Sequence, residues 1–427
     1  MRYYSTNGFD KSVDLCEAVT RSFASDGGVY MPLTIPTIPR ALFNNISGMS
    51  VTDIGYVVGS SLFGSDLDLS LINDIVKETF SFDIPLKKIT DHIYALELFH
   101  GPTKTFKDVG ARFMARVINC FIGSDRLKPG PINMLVATQG DTGYAVARAF
   151  ENMPGVKVFI FHPSKKIIKL PEHMGHTVAD NVISVEIRGT LDDCQDLVRR
   201  AYADPDLNKK LNLTSANSIN IARLLPQTFF YFYSYSKLQA LGENTSEFVA
   251  AMPCGNLGNL TAALFAKLMG VPIKRIIAAG RGEQRLWGEM LNGQLSVSNH
   301  SQRALNTNLS RINTLIAHNP SLGQNLVCHT YTPDEIDETI KIYNDRFGYS
   351  LGRNSALAAK SMIDSRRGDE AGVFLATDHP DMYADCQTTS IGLKDSPSQA
   401  HSCSRERHIP LSPSLPAVRN FILQHSR

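Results

Sequence analysis

Lys107 lies in the run His100–Met114 (HGPTKTFKDVGARFM), between Phe106 and Asp108 and just after the turn-prone pair Gly101-Pro102. The spacing predicts that it opens a helix over Lys107–Ile118. A lysine held against an aromatic in a partly desolvated place has its ammonium disfavoured, and the neutral amine forms an imine with an aldehyde cofactor. A solvated surface lysine has the same local pattern. The assignment therefore depends on what else converges on it.

Three further stretches bear on that. Ala137–Tyr144 (ATQGDTGY) follows an apolar run and opens a helix predicted over Thr142–Phe150. Such a turn presents backbone N–H groups and small hydroxyls to an anion such as a carboxylate, although Asp-Thr-Gly is equally an ordinary helix cap. Pro253–Leu260 (PCGNLGNL) stands between a strand, Phe248–Met252, and a helix, Leu260–Met269. Gly255 and Gly258 let successive N–H groups face one phosphate, and a tight glycine turn is the plainer alternative. Neither the dinucleotide fingerprint nor the Gly-Lys-Ser/Thr of a P-loop is present, so the reading is a monophosphate cradle. In Ser215–Gln227 (SANSINIARLLPQ), Asn217, Ser218, Asn220 and Arg223 precede an aromatic run, Phe229–Tyr235. The arginine suits a second phosphate, held bidentately, or else a solvated helix end.

These stretches need strands and helices to hold them. Runs rich in β-branched residues predict strands at Ile132–Ala137, Val156–Phe161, Val182–Ile187, Phe248–Met252, Arg275–Ala279 and Val373–Thr377. Amphipathic segments alternate with them, as in a parallel sheet covered by helices. Leu191–Ala203 carries Leu191, Cys194, Leu197, Val198 and Ala201 on one face, with Thr190 as N-cap and acidic residues early, where the helix dipole favours them. Met31–Arg40, with three prolines, predicts an extended connection between strands and helices. Helices over Val51–Leu62 and Leu71–Phe80 make the first 90 or so residues a smaller helical unit. A polar stretch, Lys394–Ile409, predicts a loop before a terminal segment, Leu415–Leu423.

The composition narrows the class. In 427 residues, 43 basic and 41 acidic side chains give a net charge of +2, which offers no counterion-displacing surface for nucleic acid. No apolar tract reaches the length of a membrane helix, and the start has no basic, apolar signal-type pattern; a cytoplasmic protein is expected. Seven scattered cysteines without a C-x-x-C pair predict reduced thiols and no structural zinc site.

Taken together, the motifs resemble the threonine synthase family, in its longer bacterial and fungal type, within the tryptophan-synthase-like enzymes that use pyridoxal phosphate (PLP). The resemblance runs from SFASDGGVYMP (Ser22–Pro32) through LFHGPTKTFKDVGARFMA, ATQGDTG, SANSINIARLLPQ and CGNLGN to FLATDHP, ending at Pro380. It implies the α/β fold of the tryptophan synthase β-subunit (fold type II): two open twisted α/β domains plus a small N-terminal helical unit. On this reading 1–90 is the N-terminal unit, 91–215 carries the reactive lysine and carboxylate loop, and 216–427 carries the cofactor phosphate loop.

The resemblance also implies roles. Lys107 would carry PLP as an imine and act as acid and base. Gly255, Asn256, Leu257, Gly258 and Asn259 would cradle the cofactor phosphate. Asp141 would lie near the pyridine hydroxyl, and Thr377 would hydrogen-bond the pyridine nitrogen. Thr138, Gln139, Gly140 and Thr142 would take the substrate carboxylate, and Asn217, Ser218 and Arg223 its phosphate. Lys104 offers a second positive charge without a motif to support it. The implied substrate is O-phospho-L-homoserine, turned by a monomer or homodimer into threonine and phosphate.

Four places depart from the family pattern. Gly280–Gln284 replaces the usual Thr-Asn and Asn-Asp pairs, and Gly352, Arg353 and Asn354 replace Asp-Pro-His. Asp378 stands where an alanine is usual, and Gln139 replaces a serine. A carboxylate within reach of the pyridine nitrogen would strengthen the ring as an electron sink, which opens a second reading: a lyase that eliminates phosphate and releases 2-oxobutanoate. A third is a non-catalytic homologue that only binds the cofactor.

Overall fold

The protein is described here from a computed structural model, which describes residues 1–8, 11–125, 127–138, 140–164, 179–246, 248–282, 300–382 and 409–426. Its strands are β1 (Tyr3–Ser5), β2 (Tyr30–Pro32), β3 (Leu86–Thr90), β4 (Ile93–Glu97), β5 (Ile132–Ala137), β6 (Val156–Pro163) and β7 (Val182–Ile187). They continue as β8 (Asn212–Ser215), β9 (Phe248–Pro253), β10 (Ile273–Arg281), β11 (Leu326–Tyr331), β12 (Gly372–Ala376) and β13 (Ile409–Leu411).

The continuous apolar runs become strands buried on both faces. All residues of β4, β5 and β12 are buried, which is what helices on either side of a parallel sheet produce. One sheet has six strands in the order β11-β10-β9-β12-β4-β3, parallel except where β3 turns back on β4. The other has five, β13-β7-β6-β5-β8, all parallel. The β1-β2 ribbon is separate and antiparallel.

This topology positions the site. Ligands of open α/β sheets bind beyond the carboxyl ends of the strands. Here the stretch after β4 leads to Lys107, that after β5 to Asp141, and that after β8 to Ser218 and Arg223. The stretch after β9 leads to Gly255–Asn259, and β12 runs directly into Thr377. Every motif that bears on chemistry hangs from a strand's carboxyl end.

Local expectations hold closely for the elements that packing and capping agree on. The helix Leu191–Tyr202 has Thr190 as N-cap in a full capping box with Asp193. The expected helices appear at Val51–Phe63, Leu69–Thr79, Lys107–Asn119, Asp141–Phe150 and Gly258–Leu268, and the terminal segment is a helix, Leu415–His425.

Sheet membership does not follow the chain in contiguous blocks. β4 lies in the expected 91–215 block yet pairs with β12 in the sheet of the later strands. The terminal β13 and its helix cross back, β13 pairing with β7, because the edge of the five-stranded sheet and the apolar face around Cys194 and Leu197 need a cover. The N-terminal unit likewise ends before β3, which joins the six-stranded sheet. The proline-rich connection is extended as expected, but its first residues, Met31 and Pro32, pair with Tyr4 and Tyr3 in β1. The expected loop at Lys394–Ile409 lies outside the described residues apart from Ile409, which opens β13.

Candidate active site

The reactive-lysine loop is shaped before the helix begins. Thr103 donates its backbone N–H and its hydroxyl to the two oxygens of Asp108, each at 2.8 Å. Asp108 is buried, and burial pushes its carboxyl up to about 6 against the lowering effect of the Thr103 bonds. Gly101 is required here, because a Cβ on it would stand 2.5 Å from Asp108 Oδ2. Backbone bonds from Phe106 N to Thr377 O (2.9 Å) and from His379 N to Lys104 O (3.0 Å) tie this loop to the segment after β12. Lys107 and Thr377 are thereby held side by side.

The partner of the lysine ammonium is a carboxylate. Lys107 Nζ donates to Asp141 Oδ2, with both side chains about four-fifths buried. The expected aromatic neighbour, Phe106, packs instead against the main core. Asp141 opens its helix, and its second oxygen accepts from Thr142 N at 2.9 Å. This pair joins the two sheets, because Lys107 follows β4 and Asp141 follows β5.

The carboxylate-loop residues divide by role. Thr138 Oγ1 accepts from the N–H groups of Gly140 (3.1 Å) and Gly143 (3.2 Å), so it shapes the turn. A Cβ on Gly143 would stand 2.6 Å from Thr138 Cγ2, which explains the glycine. Gln139 lies outside the described residues. Thr142 is half-buried at the start of the helix.

The second loop is built from backbone. Leu257 adopts a left-handed conformation at the N-cap (φ 56°) and supplies no side-chain cap. The first N–H groups of a helix have no partner within it, so an uncapped N-terminus suits an anion. Gly255 and Asn256 are exposed, with no atom within 4 Å of a Cβ placed on Gly255. Leu257 packs its side chain into the core. Asn259 also turns inward, its Oδ1 accepting from Tyr231 Oη and its Nδ2 donating to Gln227 Oε1 at 3.2 Å. Only their backbone is available to a phosphate, a restriction the motif did not carry.

The third stretch comes up against this loop. Ser218 packs beside Gly258, where a Cβ would approach Ser218 Cβ to 3.3 Å. Asn217 Nδ2 reaches Ala137 O at 3.3 Å, linking the ends of β8 and β5. Asn220 is not part of the site: it is fully buried, and its amide bonds Val19 O and Ser22 Oγ, both at 2.8 Å.

Arg223 is 5 % exposed and lies beneath Gly110 of the Lys107 helix. Its Nη1 donates to Ala216 O, while its buried Nε has no partner. Burial pulls the guanidinium down to about 10, although Asp141 and Asp108 work in the opposite sense. A buried guanidinium with an unused donor suits an anion.

Asp378 has a different task from the one the sequence suggested. Its Oδ1 accepts from Ser355 Oγ (2.6 Å) and Ser355 N (3.0 Å), and its Oδ2 accepts from Asn354 N (3.2 Å). It caps the helix Arg353–Ser365, whose own N-cap is Gly352 and lacks a side chain. Gly352 also makes the room, since a Cβ there would lie 2.6 Å from Asp378 Cγ. Arg281 Nη2 donates to Asn354 Oδ1 at 3.0 Å, so the departures at 280–282, 352–354 and 378 meet at one place. Glu283 and Gln284 lie outside the described residues. Both carboxylate oxygens are taken up by the cap, and Oδ1 also accepts from Thr377 Oγ1 at 3.5 Å, so Asp378 is tied both to the helix end and to the neighbouring threonine.

The residues fit PLP on three counts: an amine paired to a proton acceptor, an uncapped helix N-terminus behind an open glycine loop, and Thr377 tied to the lysine loop by a backbone bond from Phe106. This defines the class as a PLP-dependent α/β enzyme of fold type II. Comparison with known proteins agrees: residues 2–80 match the model of the threonine synthase N terminus, and residues 83–378 that of pyridoxal-phosphate dependent enzymes. The threonine synthase of Haemophilus influenzae is 33 % identical over 401 residues, covering 92 % of each chain. That of Escherichia coli is 31 % identical over the full length of both. Its crystal structure superposes with a TM-score of 0.84 over both whole chains, and a PLP-bound threonine synthase from Brucella melitensis with 0.82. The chain belongs to the threonine synthase family.

Sequence reasoning missed Asn308, Arg311 and Ser355. Ser355 carries a faint signal as a small hydroxyl at a helix start. The other two sit in the polar helix His300–His318 with no motif to mark them.

Proposed function

We propose that the chain converts O-phospho-L-homoserine and water to L-threonine and phosphate, with Lys107 moving the protons and Arg223 holding the phosphate. The observation that carries this reading is the buried Arg223, whose unpaired Nε lies under Gly110 of the Lys107 helix and whose guanidinium feels the charge of Asp141. A substrate with a carboxylate at one end and a phosphate at the other meets one anion-binding group at each end.

Bound PLP would supply an aldehyde for the substrate's amino group and a ring that draws electrons from its Cα. The N–H groups of Gly255–Asn259 would hold its phosphate, Lys107 its aldehyde carbon, Asp141 its hydroxyl and Thr377 its ring nitrogen. Lys107 takes the proton from Cα, passes it to Asp141 and, again a free base, takes one from Cβ. Asp141, already bonded to Nζ, orients the amine and shares its proton. Electrons from the broken Cβ–H bond expel phosphate from Cγ, and Arg223, Ser218 and Asn217 stabilise the charge on the leaving oxygens. Water adds at Cβ, and protons return to Cγ and Cα to give threonine. The turn at Thr138–Thr142 fixes the carboxylate throughout, so that the phosphate leaves in a single geometry.

The test is a product balance. PLP-loaded protein given phosphohomoserine should release threonine and phosphate in equal amounts. Phosphate with 2-oxobutanoate and ammonia, or no phosphate at all, would contradict the reading.

A further inference from the structure

Asn308 stands where two loops meet. Its Nδ2 donates to Asn256 O in the cofactor phosphate loop at 2.7 Å and to Ser218 Oγ at 3.2 Å. Its orientation is settled by a third group: Arg311 Nη1 donates to Asn308 Oδ1 at 2.7 Å, which turns the amide nitrogen toward the two loops. Arg311 is itself fully buried and fixed. Its Nε and Nη2 reach Tyr30 O at 3.1 and 2.9 Å, and Nη2 also bonds Ile219 O, next to Ser218. Burial draws this guanidinium down to about 9, and among the described residues its hydrogen-bond partners are carbonyl oxygens and one amide.

Each bond from Asn308 directs a donor. In a trans peptide the carbonyl and the following N–H point in opposite directions. Holding Asn256 O toward Asn308 therefore turns Leu257 N–H away from it, toward the open side of the cradle. Ser218 Oγ, by accepting from Asn308, keeps its own proton for another acceptor. One amide thus sets two donors that belong to two different anion sites.

We propose that Asn308, locked by Arg311, is a positioning residue that orients both the cofactor phosphate loop and the substrate-phosphate hydroxyl of Ser218. This rests on the reading of Ser218 given above. Loading the cofactor and binding the phosphorylated substrate then share one support, and weakening it affects both.

The experiment compares Asn308→Asp, Asn308→Ala and Ser218→Ala with the natural protein. Asn308→Asp keeps the size and the acceptor for Arg311, guarding against a folding failure, but replaces the donating nitrogen with an oxygen that draws the Ser218 proton to itself. PLP affinity is read by absorbance titration of the cofactor-free protein, and kcat and KM with phosphohomoserine on the loaded one. Both Asn308 variants should raise the PLP Kd and the KM about tenfold each, the worth of one hydrogen bond, with kcat within about threefold. Ser218→Ala should raise KM alone. Natural PLP affinity or natural KM in Asn308→Asp would overturn the shared support. An unchanged KM in Ser218→Ala would instead overturn the assignment of Ser218, and with it the substrate half of the proposal.

Discussion

Replacing Arg223 by methionine should separate what this side chain does for stability from what it does for the reaction. The guanidinium is buried, and burial lowers it to about 10 despite two nearby carboxylates. At 1.36 kcal/mol per unit, keeping that charge in the ligand-free protein costs about 3 kcal/mol. Methionine fills similar space without the charge, so the ligand-free variant should melt at the natural temperature or a few degrees above it. Losing one partner of a buried, hydrogen-bonded charge pair costs about 2–5 kcal/mol of binding, so kcat/KM for phosphohomoserine should fall at least about thirtyfold. Because the phosphate is also the leaving group, kcat should fall along with the rise in KM. PLP absorbance titrations should be unaltered, since the cofactor phosphate has its own cradle. A kcat/KM within threefold of the natural value would refute the assignment; loss of PLP would show that Arg223 serves the other phosphate.

Other consequences can be measured separately. Asp378→Ala leaves Asn354 N and Ser355 N without their acceptor and should lower stability by about 2 kcal/mol, read by thermal melting; an unchanged melting temperature would refute the capping role. Asp378→Asn should still yield threonine, whereas a switch of product would show that the carboxylate governs the ring. Asp108 is raised in the folded state, so it holds its proton after the unfolded chain has lost it, and stability declines as pH rises from about 4 to 6. Denaturant melts of the natural protein and Asp108→Asn should diverge over that window, the difference reaching about 3 kcal/mol; parallel curves would refute it. Gly143→Ala, with its Cβ placed 2.6 Å from Thr138 Cγ2, should disturb the carboxylate turn and raise KM while leaving PLP affinity unaltered.

Much of the site was legible because its loops are local in sequence. Glycines, small hydroxyls and a lysine beside a helix start announce a strand-to-helix turn wherever it lies, and those turns stand at the carboxyl ends of β4, β5, β8 and β9. Roles that depend on distant partners were not legible. Asn308 reaches across 52 residues to Asn256 and 90 to Ser218, and its own helix reads as ordinary polar sequence. Asn259 looks like a phosphate ligand in CGNLGN until Tyr231 and Gln227 claim its amide. Asp378 read as a candidate ring partner because sequence places it beside Thr377, and the helix end it caps is more than twenty residues away. The strand exchange between the sheets was invisible for the same reason: an apolar run does not name its neighbour.

The central claim is that Lys107, not its neighbour Lys104, carries the cofactor and moves the protons. Borohydride reduction of the PLP-loaded protein, followed by peptide mass mapping, fixes the cofactor to whichever amine holds it. The account predicts the label on Lys107, lost in Lys107→Ala together with the visible absorbance and threonine formation. A label on Lys104, or a Lys107→Ala protein that keeps its absorbance and its activity, would contradict it.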